Sequence, residues 1–527
     1  MTDLKSTINL PSTDFPMKAN LSQREPEILA YWSEINLYEK IRAKQKGKTK
    51  FILHDGPPYA NGHIHIGHAV NKVLKDVIVK SKTLSDYDAP YVPGWDCHGL
   101  PIELNVEKKH GKAGQQISAE TFRQLCREYA NEQIDIQRNE FKRLGIMSDW
   151  NNPYITMDTK FEANIVRSLG VIIGNGHLHQ GKKPVHWCVD CGSALAEAEV
   201  EYRMKTSTSI DVKFNVLDEA AVFQRCERTP HDEGKGPLSI LAWTTTPWSL
   251  PGNAAITLGH DIEYVVVQCN TPFGHERFII AESLLASCMK RYQIDEYRVL
   301  ASLQGKALEG LYCQHPFYDK QVPIILGDHV TLDSGTGAVH TAPAHGVEDY
   351  LTALKYDVHF ENPVGDNGCF LPTVPLFAAE HVSKSSDHII DVLKAHNTLV
   401  HAEMMEHSYP HCWRHKTPLI YRATPQWFIS MDQNGLRRAA LEEVFKTQWI
   451  PDWGQARFAS MLENRPDWCI SRQRTWGVPI TLFIHKETNE AHPNTVALIE
   501  KVANIIAKEG IDAWYSLDET TLLGEDA

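Results

Sequence analysis

The residues best placed to do chemistry are two histidines, His65 and His68, in the stretch Pro58-Tyr59-Ala60-Asn61-Gly62-His63-Ile64-His65-Ile66-Gly67-His68. Three positions apart, they share one face of a helix. Upstream, Lys50-Phe51-Ile52-Leu53-His54 reads as a buried strand, halted by Asp55-Gly56-Pro57-Pro58. Downstream, Ile66, Ala69, Val70, Val73, Leu74, Val77 and Ile78 recur every three or four positions, with Asn71, Lys72, Lys75, Asp76 and Lys80 between them. That period predicts a helix whose apolar stripe meets the core and whose polar face looks outward. Strand, turn and helix mouth together make a phosphate site. Free amides and the helix dipole favour an anion, Gly67 lets it come close, and both imidazoles donate hydrogen bonds as charge builds on a phosphoryl group. The competing reading is a pair of surface histidines or a metal-type His-x-x-His. No Gly-x-x-x-x-Gly-Lys-Ser/Thr loop occurs, so a P-loop NTPase is not the explanation.

A second constellation lies farther along. Cys188-Val189-Asp190-Cys191 and His411-Cys412-Trp413-Arg414-His415 offer a Cys-x-x-Cys and a Cys-x-x-His. Cys188, Cys191, Cys412 and His415 are four ligands suited to tetrahedral zinc, and the alternative is a metal-free knuckle with reduced thiols.

The elements that must position these groups show in the patterning. Helices are predicted over 23–46 and 119–144, the latter carrying Phe122, Leu125, Tyr129, Ile134, Ile136 and Phe141. From about residue 202 the character becomes β-rich. Ile210-Asp211-Val212-Lys213-Phe214-Asn215-Val216 alternates strictly, and Tyr264-Val265-Val266-Val267, Phe278-Ile279-Ile280 and Pro323-Ile324-Ile325-Leu326 are short apolar runs. The fold class is therefore α/β with a large β-rich insertion. The expected division is 1–201 for the first part of the α/β domain, 202–400 for the insertion and 401–527 for the return.

Bulk properties narrow the class. No run approaches the roughly 18 apolar residues of a membrane span, and the first twenty residues lack a signal-type apolar core, so membrane and secreted classes are not expected. Eleven scattered cysteines fit reduced thiols and a cytoplasmic setting better than a disulfide framework. The net charge of -13 weighs against a nucleic-acid partner, although Lys182-Lys183 and Arg472 to Arg474 offer local basic groups.

Four long motifs carry a family resemblance: the turn with His65-Ile66-Gly67-His68, then Gly94-Trp95-Asp96-Cys97-His98-Gly99-Leu100-Pro101-Ile102-Glu103, then Trp243-Thr244-Thr245-Thr246-Pro247-Trp248 with Gly335-Thr336-Gly337-Ala338-Val339-His340-Thr341-Ala342-Pro343, and finally Trp468-Cys469-Ile470-Ser471-Arg472-Gln473-Arg474. In this order they resemble class I aminoacyl-tRNA synthetases of the bacterial isoleucine-specific type. The resemblance implies a Rossmann-like catalytic domain interrupted by an editing domain. It implies ATP-dependent activation of isoleucine with Mg²⁺, transfer to tRNA(Ile), and hydrolysis of mischarged Val-tRNA(Ile), by a monomer. Pro58, Tyr59, Ala60, Asn61, Gly62, His65, Gly67 and His68 would bind ATP, with His65 and His68 catalytic. Gly56 and Pro57 would shape the amino-acid pocket, and Asp96 would anchor the amino group.

The editing pocket would be formed by Thr244, Thr245 and Thr246, with Asp349 pairing the substrate ammonium, His340 walling the pocket against a larger side chain and Asn253 helping to hold the 3′-terminal nucleotide. Threonines are common in strands and Asp349 suits a helix start, which is the plainer reading of the same residues. A second sieve is needed because one methylene is worth only ~1–3 kcal/mol in a hydrophobic pocket, a limit for which the isoleucine enzymes are themselves the standard illustration. The family's Lys-Met-Ser-Lys-Ser loop and anticodon-binding domain are absent before Ala527. The chain is therefore expected to be the N-terminal part of a longer protein, with an editing-only hydrolase as the alternative activity.

Overall fold

The computed structural model describes residues 7–9, 11, 13–14, 18–227, 232–272 and 274–527. The chain divides into two compact units, Met1–Asn175 with Arg474–Ala527 and Gly176–Gln473. Both borders lie outside the 202–400 stretch read from the sequence as inserted.

The first unit is helical around a short parallel arrangement. The helix predicted over 23–46 is two, α1 (Leu21–Glu34) and α2 (Leu37–Gln45), because Asn36 takes a left-handed conformation with φ 50°. Then come α3 (Ile66–Leu84), β1 (Gly94–Trp95), α4 (Leu100–His110), α5 (Ala119–Arg143), β2 (Tyr154–Ile155) and α6 (Thr159–Gly174). Ser118 caps α5 by accepting the Thr121 amide at 3.1 Å. β1 and β2 pair in parallel, and isolated parallel bridges join Lys50 to Asp88 and Tyr59 to Asp96.

Two expectations are corrected here. The stretch from Lys50 to His54 is not a buried strand: it holds one bridge, and Ile52 is 71% exposed. More consequentially, α3 faces the opposite way. Ile66, Val70, Val73, Leu74, Val77 and Ile78 are exposed, whereas Lys72, Asp76 and Val79 are buried. The cause is a buried polar cluster. Lys72 and Lys75 both pair with the fully buried Asp55, Tyr91 donates to Asp55 at 3.3 Å, and Asp76 accepts the Met147 amide at 2.9 Å. Periodicity locates an apolar stripe but not what lies opposite it.

The second unit is built on a ten-stranded mixed sheet. After β3 (Leu178–Gly181), β4 (Pro184–Cys188) and β5 (Ser193–Ala194), its strands are β6 (Val200–Val216), β7 (Leu238–Thr244), β8 (Ala255–Leu258), β9 (Glu263–Thr271), β10 (Gly274–Ala281), β11 (Tyr297–Gln304), β12 (Tyr312–Gln314), β13 (Gln321–Leu326), β14 (Ala338–Thr341) and β15 (Leu399–Cys412). The order is β11-β9-β10-β7-β14-β8-β13-β12-β6-β15, and β6 also pairs with β7. Six strands, β7-β14-β8-β13-β12-β6, thus close on themselves as a barrel. Phe214, Ile240, Leu258, Ile324 and Phe278 sit in the core of this unit. The predicted apolar runs fall inside β6, β9, β10 and β13, where both faces or the barrel interior bury them. β6 and β15 extend as a long antiparallel ribbon from Leu399 opposite Val212 to Cys412 opposite Val200.

Candidate active sites

In the first unit the Pro58–His68 turn is bound to both its neighbours. Asp96 donates its amide to Pro58 O at 2.9 Å and accepts the Ala60 amide at 2.8 Å, which sets the candidate amino-acid anchor beside the candidate ATP turn. From the other side α5 clamps the turn. Gln137, fully buried, donates to Tyr59 O at 2.9 Å and Gly62 O at 2.8 Å, Gln133 accepts the Gly62 amide at 2.9 Å, and Glu140 accepts the Ile64 amide at 2.9 Å. Asn61 accepts from Asn105 at 2.8 Å and Tyr129 at 2.7 Å. Gly56 and Pro57 are exposed on the approach to this turn.

The helix mouth differs from the expectation of free amides. His65 is the N-cap of α3, and its Nδ1 accepts the Gly67 amide at 3.1 Å and the His68 amide at 3.4 Å. His68 Nδ1 in turn accepts the His65 amide at 3.3 Å, and the two rings stack at 3.8 Å. A nitrogen that accepts from an amide carries no proton, so in the neutral rings both protons lie on Nε2. Burial, helped by His65 and Lys72, holds the His68 pKa below its ordinary value. The mouth thus presents two Nε2–H donors. Burial raises the pKa of Asp96, while the His98 amide lowers it by bonding the carboxylate.

In the second unit a cavity of about 230 Å³ is lined by Trp243, Thr244, Thr245, His329, Gly335 and His340. Thr244 Oγ1 accepts the Thr246 amide at 3.0 Å, and Thr245 and Thr246 also border a second cleft of about 520 Å³. The loop from Gly335 to Gly337 packs tightly: Gly337, at φ 80°, would place a Cβ 2.4 Å from that of Ala281. His340 is buried and both its nitrogens are engaged. Asn253 Nδ2 bonds Nδ1 at 2.8 Å, so the proton is on Nε2, which donates to Ser249 Oγ at 2.9 Å, and Ser249 donates to Thr246 O at 2.8 Å. Burial pushes the His340 pKa down to about 4, keeping it neutral. Asn253 is fully buried and packs against His340 through that hydrogen bond. Asp349, in the helix Val347–Lys355, accepts the Ala342 amide at 2.8 Å and lies 3.6 Å from His329 Nε2.

At the base of the ribbon, Cys188, Cys191, Cys412 and His415 come together with their ligand atoms all within 4.8 Å. Cys191 Sγ is 3.8 Å from Cys412 Sγ, and His415 Nδ1 is 3.8, 3.2 and 3.8 Å from Cys188, Cys191 and Cys412. A tetrahedral zinc with bonds of ~2.3 Å to sulfur spaces its ligands by ~3.8 Å, so the residues fit the metal. The Cys191 and His415 amides point at Cys188 Sγ and Cys412 Sγ at 3.4 and 3.5 Å, as the two turns of a knuckle would.

The family described as tRNA synthetases class I (I, L, M and V) matches residues 27–527. The chain belongs to that family. It is 60% identical over 527 residues to the isoleucine–tRNA ligase of Pseudoalteromonas atlantica, covering 100% of this chain and 56% of that one. It is 61% identical over 525 residues to the isoleucine–tRNA ligase of Methylococcus capsulatus and 59% identical over 527 to that of Nitrosococcus oceani, with the same coverage. The chain spans about half the length of the curated relatives it matches.

Some residues of this class I synthetase chain that shape its sites were not singled out from the sequence. Gln133, Gln137 and Glu140 form a polar stripe at four- and three-residue spacing on α5, a signal that was available. Ser249 and His329 gave none, because their roles exist only in the folded contacts.

Proposed function

We propose that this chain carries the activating and editing centres of an isoleucine–tRNA ligase, acting in the cytoplasm as a monomer. The single observation that carries the reading is identity near 60% to isoleucine–tRNA ligases along the whole chain. In this reading Asp96 holds the isoleucine ammonium, Gly56 and Pro57 border its side chain, and the Pro58–Gly62 turn with Gly67 receives ATP. The isoleucine carboxylate attacks the α-phosphorus, and His65 and His68 donate Nε2–H to the phosphoryl oxygens as charge builds there. Mg²⁺ bound with ATP supplies charge neutralisation on the departing pyrophosphate. Tyr59, Ala60, Asn61 and Gly62 are held rigid for this by Gln133 and Gln137.

In the second unit, 202–400 is read as the editing domain. Asp349 pairs the ammonium of a mischarged valyl ester, Thr244, Thr245 and Thr246 orient water on the ester carbonyl, and His340 excludes isoleucine, with Asn253 fixing that wall. Zinc at Cys188, Cys191, Cys412 and His415 is a structural staple of the ribbon base. No helix among the described residues is long and apolar enough to cross a membrane, and the eleven cysteines form no disulfide, in keeping with the cytoplasmic assignment. A second reading, editing without ligation, is favoured by one observation: every residue of the threonine cavity lies within the second unit.

The test is isoleucine-dependent exchange of labelled pyrophosphate into ATP. Exchange that prefers isoleucine to valine supports ligation; none, in a folded chain that still deacylates Val-tRNA(Ile), leaves the editing reading alone.

A further inference from the structure

Asp349 is held firmly at one oxygen only. Its Oδ2 accepts the Ala342 amide at 2.8 Å, and Gly346 lies so near that a Cβ there would come within 3.0 Å of the same atom. The glycine leaves the space that this carboxylate oxygen occupies. Facing the other oxygen, Oδ1, is Nε2 of His329 at 3.6 Å, beyond hydrogen-bond range. That Nε2 is buried and has no hydrogen bond, while Nδ1 of the same ring sits 3.5 Å from Thr352 Oγ1. His329 lines the cavity with Thr244 and Thr245, and His340, the other imidazole of that wall, has both nitrogens engaged.

With its proton on Nδ1 toward Thr352, His329 turns a lone pair on Nε2 toward Asp349. Two acceptors then face one another across 3.6 Å with no donor between them. A buried ring nitrogen left without a partner beside a carboxylate is an unmet acceptor that a ligand N–H can satisfy. A ligand nitrogen can sit ~2.9 Å from both atoms. It must be cationic, to suit the carboxylate, and must carry at least two N–H bonds, to satisfy both acceptors. A primary ammonium meets both conditions.

We propose that His329 is the second acceptor for the α-ammonium of the aminoacyl ester, beside Asp349. This rests on the editing reading above and deepens it. A lone carboxylate attracts a cation from many directions, whereas two fixed acceptors set the direction of the C–N bond and with it the aim of the carbonyl at the threonine hydroxyls.

The test uses two ligands titrated into the full chain: adenosine with valine in amide linkage at the 3′ position, and the same compound with an isovaleryl group, which lacks the amine. The unaltered chain binds the amine ligand at least about tenfold more tightly. In His329→Phe that ratio falls several-fold while affinity for the isovaleryl ligand stays unchanged. His329→Gln, whose Oε1 can accept, keeps most of the ratio, and Asp349→Ala removes it. A His329→Phe chain that retains the full ratio, or that loses both ligands equally, overturns the proposal. If the unaltered chain does not distinguish the ligands, the ammonium role of Asp349 fails, and that of His329 with it.

Discussion

The turn and the spacing of His65 and His68 placed them together at a helix mouth, and the fold keeps them there. What the spacing did not reveal is that they cap their own helix, which fixes both neutral tautomers with the proton on Nε2. His68→Ala should lower pyrophosphate exchange by ~10²–10³-fold, the usual loss for one transition-state donor, with hydrolysis of Val-tRNA(Ile) unchanged; parallel kinetic assays check this. A pH dependence follows from the buried imidazoles of the second unit. Burial depresses the pKa of His315 to about 3 and of His340 and His345 to about 4. The unfolded chain then binds more protons than the folded one below pH ~6.5. Stability contributed by these rings is complete above that pH and is lost as pH falls toward 4. Urea unfolding between pH 7 and 4.5 should show a decline on the order of a few kcal/mol, with a shallower decline in His345→Asn.

At the scale of elements, alternation and apolar runs announced the strands of the second unit, because consecutive apolar residues mark strands buried on both faces, as in β9 and β10. Closure of the barrel was not legible, since it depends on β6 pairing with both β12 and β7 across long stretches of chain. α3 is the instructive failure. Its period was right and its facing reversed, because the buried Asp55–Lys72–Lys75 cluster holds the polar side inward. Leu74 is 59% exposed, so Leu74→Ala should cost under ~1 kcal/mol in urea unfolding, against ~2–5 kcal/mol for a core position such as Leu250→Ala. A large penalty at Leu74 would restore the original orientation. The cysteine knuckle was legible in ligand type, but only the ribbon brings its halves together. One zinc per chain is expected by elemental analysis. Chelation should lower the thermal midpoint, and Cys412→Ser should abolish the metal content.

For the whole molecule, the family was legible because four motifs lie in one order along the chain, and the 60% identity to an isoleucine–tRNA ligase agrees. The unit borders at Asn175 and Gln473 were not legible, because compactness is a property of contacts rather than of composition. The net charge of -13 gave only a mild argument against an RNA partner. The two chemistries proposed for the two units make separable predictions. The most direct measurement is hydrolysis of Val-tRNA(Ile) and Ile-tRNA(Ile) by the chain, its His68→Ala form and its Asp349→Ala form. The account predicts faster loss of valine than of isoleucine, untouched by His68→Ala and abolished by Asp349→Ala. Equal loss of both amino acids, or valine release that survives Asp349→Ala, would contradict it.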